Sequence, residues 1–163
     1  MLRMLEISYA RFIKRPDWLP RNPVRTGARA TGERFERRVH ATLLERYPDK
    51  YIEGPWIAYR GVNTGNRVRF CQPDGLYIDI KKGLLVIIEA KLKHGSKAWE
   101  QLNDLYYPCL RHIMEGGKLF EIRLIEVVKW FDPLTFREMP PAMCSSIHGC
   151  TPMHENVYNV HLL

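Results

Sequence analysis

The spacing of apolar residues changes along the chain, and the change predicts the order of helices and strands. Phe35, Val39 and Leu43 recur every four residues, which is typical of one apolar face of an α-helix. Thr31 is expected to cap this helix, and Pro48 marks the point before which it should end.

A group of short strands should follow this helix. The expected strands cover residues 51–59 with a break at Gly54-Pro55, then 67–71, 76–80 and 84–91. Residues 81–83 read as a hairpin turn. The run 84–88 is continuously apolar, which is typical of a central strand that is covered on both faces.

A second helix is predicted over residues 97–114, where Pro108 should kink or split it. Its expected buried stripe consists of Trp99, Leu102, Leu105, Tyr106 and Leu110. Residues 119–130 favour another strand, and 132–163 favour loops with a late strand at 156–162. The order helix, antiparallel strands, helix, strand predicts an α/β fold with a mixed sheet flanked by helices.

Composition places the chain among ordinary globular proteins. Its 163 residues are 45% hydrophobic and 26% charged, which suits one domain with a real core. The sequence has neither an apolar run of about 20 residues nor a secretory signal pattern. We therefore expect no membrane partner, and a cytoplasmic or nucleoid-associated location.

The charge points to an anionic partner. The formal net charge is +7, and nucleic acid is the commonest anionic partner of a basic protein. Residues 1–30 form a basic, proline-containing arm that could contact phosphates, and a solvated tail is the alternative. The arm's candidate contacts are Arg11, Lys14, Arg15, Arg21, Arg25 and Arg29.

The cysteines favour reduced thiols over a disulfide framework, because the four are scattered in a chain that is not disulfide-dense. Two of them lie near two histidines in the tail, as Cys144, His148, Cys150 and His154. The Cys-x5-Cys interval is wider than that of a usual zinc knuckle. Loop residues are therefore the favoured reading, with zinc as the alternative.

Charged residues at the end of the apolar strand suggest a reactive site. Glu89 and Lys91 are two positions apart, so on a strand they point to the same side. Asp74 lies one hairpin upstream, where it can reach Glu89. A buried charge needs a partner, and paired carboxylates suit Mg²⁺ or Mn²⁺. The alternative is a salt bridge from Glu89 to Lys91 or Lys93, beside an ordinary turn.

The Pro-Asp-Gly turn and the Glu89-Ala90-Lys91 strand end together resemble the signature of the PD-(D/E)XK nucleases. The resemblance implies a restriction-endonuclease-like α-β-β-β-α-β core within residues 31–130, followed by a C-terminal extension over 131–163. It also implies that Asp74 and Glu89 bind the metal, that Ala90 adds a main-chain carbonyl, and that Lys91 is the catalytic lysine.

Two flanking helices extend the resemblance. The run Gly32-Glu33-Arg34-Phe35-Glu36 is similar to the first helix of archaeal Holliday junction resolvases, which implies a metal-binding role for Glu36, with Glu33 as the fallback. Gln101 resembles a glutamine that follows the strand in several branches, where it would support the lysine or the phosphate. RecB-like nucleases carry Gln-x-x-x-Tyr, whereas Tyr106 follows Gln101 by five residues.

The expected function is therefore a metal-dependent DNA endonuclease in DNA repair, recombination or phage DNA processing, a role often served by a homodimer. One alternative is a catalytically inactive DNA-binding module of the same fold. Another is a structural protein whose basic arm grips an acidic protein surface. A serine hydrolase and a P-loop enzyme are disfavoured, since neither motif is present.

Overall fold

A computed structural model describes residues 5–20, 26–63, 65–93, 96–115, 121–130, 150–154 and 157–160. For Ser96, Trp99, Trp130 and the last two ranges it describes the backbone alone. The elements in chain order are β1 (Ile7–Ile13), α1 (Gly27–Arg46), β2 (Tyr51–Glu53), β3 (Trp56–Gly61), β4 (Arg69–Cys71), β5 (Gly75–Asp79), β6 (Leu84–Lys93), α2 (Ser96–Glu100), a π-helical turn (Gln101–Tyr106), α3 (Tyr107–Met114), β7 (Glu121–Trp130), β8 (Cys150–His154) and β9 (Val157–Val160).

The described strands form two sheets. A three-stranded antiparallel sheet has the order β1-β3-β4, and a six-stranded mixed sheet has the order β2-β5-β6-β7-β9-β8. Within the larger sheet, β7 runs parallel to both β6 and β9. The α/β class is confirmed. The expectation of a single sheet is wrong, because β3 and β4 pair with β1 from the basic arm instead of joining β5 and β6.

Strand β6 is the centre of the larger sheet. It pairs antiparallel with β5 and parallel with β7. Leu85 and Ile87 pack into the core that contains Leu102 of the π-helical turn, whereas Val86 and Ile88 pack against α1. The predicted burial of this strand on both faces is confirmed.

The first helix begins earlier than the sequence suggested. It starts at Gly27 with Thr26 at the N-cap, whose side chain makes no capping hydrogen bond. The Thr31 hydroxyl instead donates to the carbonyl of Gly27 at 3.3 Å. A threonine whose hydroxyl is satisfied one turn back can stay inside a helix, so Thr31 does not mark its start.

Pro108 divides the second helical segment, as predicted. The Tyr107 N–H donates to the Leu102 carbonyl five residues back, which makes 101–106 a π-helical turn. Pro108 then falls in the first turn of α3, where a missing N–H costs little. Leu102 and Leu110, on either side of Pro108, are both buried.

Both ends of the chain contribute strands. Residues 7–13 of the predicted arm form β1, and β8 lies where only loops were expected, while β9 falls within the predicted late strand. Cys144 and His148 lie outside the described residues, as do the side chains of Cys150 and His154. Among the helices that are described, none has the length and apolar character needed to cross a bilayer.

Two isoleucines test the central position of β6. Ile87 is 0% exposed and Ile80, in the turn before β6, is 62% exposed. We expect Ile87→Ala to lower the free energy of unfolding by about 2–5 kcal/mol because it leaves a cavity. Ile80→Ala should change it by less than about 0.5 kcal/mol. Urea denaturation measures both, and equal effects would contradict the packing described here.

Candidate active site

The β5-β6 hairpin brings Asp74, Glu89 and Lys91 together. Gly75 pairs with Ile88, so Asp74, one residue earlier, continues the register opposite Glu89. The Ala90 N–H donates to Asp74 Oδ2 at 2.6 Å, and Lys91 Nζ donates to Glu89 Oε1 at 2.5 Å. The structure therefore places the three side chains at one end of the central strand.

One oxygen of Glu89 is left without a hydrogen bond. The residue is 2% exposed, and its Oε2 atom is buried with no hydrogen-bond partner among the described residues. A buried carboxylate oxygen in this state is costly. It is therefore a position where a cation or a proton is favoured.

The donor set suits a hard divalent cation held by few protein ligands. Mg²⁺ commonly takes one or two carboxylates and keeps several waters, and Asp74 with Glu89 supplies two carboxylates. Within the described part of the chain, no three His, Cys, Asp or Glu side chains already form a metal-binding group. The two carboxylates at the strand end fit a cation that keeps several of its waters.

Helix α1 adds a third carboxylate to the electrostatics of the site. The charge of Glu36 raises the pKa values of Asp74, Glu89 and Lys91. Its Oε1 atom lies 3.4 Å from His40 Nε2. Glu36 is thus the helix carboxylate that acts on the strand-end residues, whereas the fallback candidate, Glu33, is half-buried one turn earlier.

Burial and like charge raise the pKa values of both strand-end carboxyls. Burial raises the pKa of Asp74 to about 7, with further increases from the Glu89 and Glu36 charges, against the opposing Ala90 N–H and Lys91. Burial also raises the pKa of Glu89, although Lys91 opposes it. Without a cation, the two carboxylates therefore repel each other and resist ionisation.

Lys91 remains a cation in this setting. Burial would lower its pKa, but the Glu89 charge and hydrogen bond outweigh burial, and Asp74 and Glu36 add to them, so the pKa is raised. An ammonium group here can steady negative charge. The side chain is therefore better suited to charge stabilisation than to removing a proton from water.

Gln101 is close to the site through Tyr106. The Gln101 side-chain amide donates to Tyr106 Oη at 3.4 Å, and Tyr106 Oη donates to the Gln72 carbonyl at 3.1 Å. Because 101–106 is a π-helical turn, residues five apart can meet as residues four apart do on an α-helix. Among the described hydrogen bonds, the one made by Gln101 goes to Tyr106 and not to Lys91.

Sequence reasoning missed a histidine-tyrosine pair beside the site. His40 is 5% exposed, and its Nδ1 atom lies 2.5 Å from Tyr51 Oη. Burial would lower the pKa of His40, but the hydrogen bond to Glu36 and the charges of Glu53 and Asp74 raise it overall. The spacing of Glu36 and His40, four apart on one helix, was the available signal.

A buried glutamate on the neighbouring strand was also missed. Glu126 is 0% exposed and lies in register with Glu89 across the parallel β6-β7 pair. Its signal was an acid inside an apolar run, Leu-Ile-Glu-Val-Val, which is the same pattern that singled out Glu89. The end of the sheet therefore holds one more carboxylate than the sequence analysis identified.

No protein-family model matches the chain, and a search of curated proteins found no matching sequence.

The repulsion at the site gives a stability prediction. The pKa of Asp74 is about 7 in the folded protein against an ordinary 3.8, so between these values the folded protein binds more protons than the unfolded chain. The free energy of unfolding should then fall as pH rises from about 4 to about 7. We expect Asp74→Asn to remove this loss and to raise the melting temperature at pH 8 by about 2–4 °C for each kcal/mol recovered.

The measurement is thermal unfolding in chelator across this pH range. Asp49→Asn is the matched control, because Asp49 is an exposed residue in the turn after α1. A parallel pH dependence in the native protein and in Asp74→Asn would contradict the assigned repulsion.

Gly75 provides a second test of the geometry. A Cβ atom at Gly75 would overlap the hydroxyl and ring of buried Tyr51, whereas one at Gly32 in α1 would meet nothing within 4 Å. We expect Gly75→Ala to destabilise the protein by about 1–3 kcal/mol through overpacking. Gly32→Ala should stabilise it by about 0.5–1 kcal/mol. Chemical denaturation compares them, and effects of the same sign would refute the assigned packing of Tyr51.

Proposed function

We propose that this chain is a Mg²⁺- or Mn²⁺-dependent DNA nuclease of the PD-(D/E)XK type. The observation that carries the proposal is the strand-end cluster, in which Glu89 Oε2 is buried without a hydrogen bond and Glu89 Oε1 accepts from Lys91. Asp74 stands beside them, fixed by the Ala90 N–H. Two carboxylates and an ammonium group at one point suit the hydrolysis of a phosphodiester.

The element order supports the finer assignment of a restriction-endonuclease-like core. Helix α1, strands β2, β5 and β6, the α2-α3 segment and β7 follow the order α-β-β-β-α-β, with all four strands neighbours in one sheet. Strands β3 and β4 are then an insertion between the first and second core strands. Asp74 immediately precedes the second core strand, β5, and Glu89 lies in the third, β6.

Each site residue has a role under this proposal. Asp74, Glu89 and the Ala90 carbonyl would hold the cation, with Glu36 as the added acidic residue. When bound, the cation supplies a water of lowered pKa and positive charge against the phosphate. The water oxygen would form a bond to phosphorus and release a proton to solvent, while the bond from phosphorus to the 3′ oxygen breaks and that oxygen takes up a proton from solvent. Lys91 steadies the negative charge that builds up on the phosphate.

The charge of the chain supports DNA as the substrate. The formal net charge is +7, and the exposed Lys93 lies two residues beyond Lys91 on β6, the strand that carries the site. A lysine so placed can neutralise a phosphate, and binding should then weaken with salt. The likeness of the Glu36 helix to junction resolvases favours a branched-DNA, repair, recombination or phage-processing role, served by a homodimer in the nucleoid or cytoplasm.

The test is cleavage of plasmid, linear, single-stranded and four-way-junction DNA in Mg²⁺, Mn²⁺ or chelator. We expect cation-dependent cutting that falls at least about 100-fold in Glu89→Gln and in Lys91→Met, because each loses a charge next to the reacting phosphate. The controls Glu45→Gln and Lys81→Met change exposed residues of the same types and should retain activity.

The same assay separates the nuclease from an inactive DNA-binding module. A nuclease loses turnover in chelator and in both site variants. DNA that is bound but never cut, on every substrate and with either cation, would contradict the nuclease and support the module.

A further inference from the structure

The three-stranded sheet has one face turned away from the protein core. Ala10, Ile57 and Tyr59 point into the core. Because successive strand residues point to opposite sides, Tyr9, Arg11, Ala58 and Arg60 share the other face. The β3-β4 register places Phe70 opposite Ala58, so Phe70 belongs to this face as well. This surface, with Trp18 added, is called the aromatic face below.

Two guanidinium groups gather around one ring on the aromatic face. The guanidinium carbon of Arg60 lies 5.2 Å from the Tyr9 ring centroid, and that of Arg11 lies 5.9 Å from it. Neither arginine forms a salt bridge with a carboxylate among the described residues. Each guanidinium group therefore lies near a ring and not on a carboxylate, and an arginine fork matches the oxygens of a phosphate.

Arg60 also holds an unsatisfied donor. Its Nε atom is buried and has no hydrogen-bond partner within the described part of the chain. A buried donor of this kind costs free energy until an acceptor reaches it. This observation is independent of the two ring contacts, and it shows that the Arg60 side chain lacks an acceptor, which a phosphate oxygen can supply.

Exposed aromatic rings lie on the same face. Trp18 is 67% exposed, and its ring meets Phe70 edge-on, with centroids 5.4 Å apart and planes at 65°. Trp18 lies in the chain segment after β1, and a ring this exposed can stack on a flat ligand. Unpaired bases stack on such rings whatever their sequence, while duplex bases are not available for it.

We infer that the aromatic face binds single-stranded nucleic acid, with Arg11 and Arg60 on a phosphodiester and a base stacked on Trp18. This goes beyond the proposed function, since it uses none of the strand-end residues and needs neither cation nor cleavage. Phe70 lies four residues before Asp74 in the chain, so their Cα atoms are at most about 14 Å apart. The part of the aromatic face formed by Phe70 is therefore near the proposed active site.

The experiment measures fluorescence anisotropy of a labelled oligomer of about 12 thymidine nucleotides, a length within the usual range of such sites. Chelator is present throughout, so that binding is read without cleavage. We expect Trp18→Leu to weaken binding at least about fivefold by removing the stacking ring, and Trp18→Phe to restore most of it. Ile80→Ala, an exposed apolar change in a distant turn, should bind like the native protein.

The arginines are tested by the salt dependence of the same binding. Loss of one phosphate contact should reduce the log-log salt slope by about 0.7 for a single strand. We expect this reduction in Arg11→Ala and in Arg60→Ala. Arg38→Ala, which alters an exposed arginine of α1, should keep the native slope.

Competing ligands show which class of molecule the aromatic face prefers. An equivalent uridine oligomer identifies whether RNA is also taken, and binding of either oligomer through Trp18 supports the inference. Equal binding of a duplex of the same length, native binding by Trp18→Leu, or tighter binding of a polyglutamate peptide would overturn it. Failure of cleavage alone would overturn the proposed function and leave this inference standing.

Discussion

The burial of the Glu89 carboxylate at the end of the central strand is the constraint that shapes the rest of the site. A carboxylate that is 2% exposed in an apolar strand costs free energy unless a cation or hydrogen-bond donors compensate its charge. Lys91 donates a hydrogen bond to Oε1, whereas Oε2 has no hydrogen-bond partner among the described residues. The architecture around β6 holds this arrangement in place, because both faces of the strand are covered by core residues.

The neighbouring elements converge on this strand end, each from a different direction. Helix α1 brings Glu36 and His40, and β2 brings Tyr51, the partner of His40. The turn before β5 brings Asp74, and the π-helical turn brings Tyr106 and Gln101. These elements concentrate carboxylates and hydrogen-bonding groups at one end of the central strand, where burial and the charges of Glu89 and Glu36 disfavour the ionised form of Asp74. Such local sacrifice of stability is typical of functional sites.

The sequence predicted those features whose physical cause lies within a few neighbouring residues. Continuous apolar character predicted the buried β6, and the acid and lysine at its end predicted the cluster, since i and i+2 on a strand share a side. The pairing of β1 with β3 joins residues about fifty positions apart, and no local pattern encodes it. Neither the division into two sheets nor the aromatic face could therefore be predicted.

Other differences arose from tertiary contacts that override local signals. Thr31 looked like a cap, yet its hydroxyl bonds back to Gly27 inside the helix. Gly75 looked like simple turn chemistry, whereas its lack of a side chain makes room for Tyr51. Glu126, like Glu89, is an acid inside an apolar run. Its position beside Glu89 depends on the parallel register of β6 and β7, which the sequence does not show.

Mn²⁺ binding decides whether Asp74 and Glu89 form the proposed divalent-cation site. Electron paramagnetic resonance of free Mn²⁺ during titration counts the bound ions without any substrate. We expect the native protein to bind one Mn²⁺ ion per chain, which excess Mg²⁺ displaces. Binding should be greatly weakened in Glu89→Gln and in Asp74→Asn. Absence of Mn²⁺ binding by the native protein, or binding unchanged in both variants, would contradict a cation site at Asp74 and Glu89.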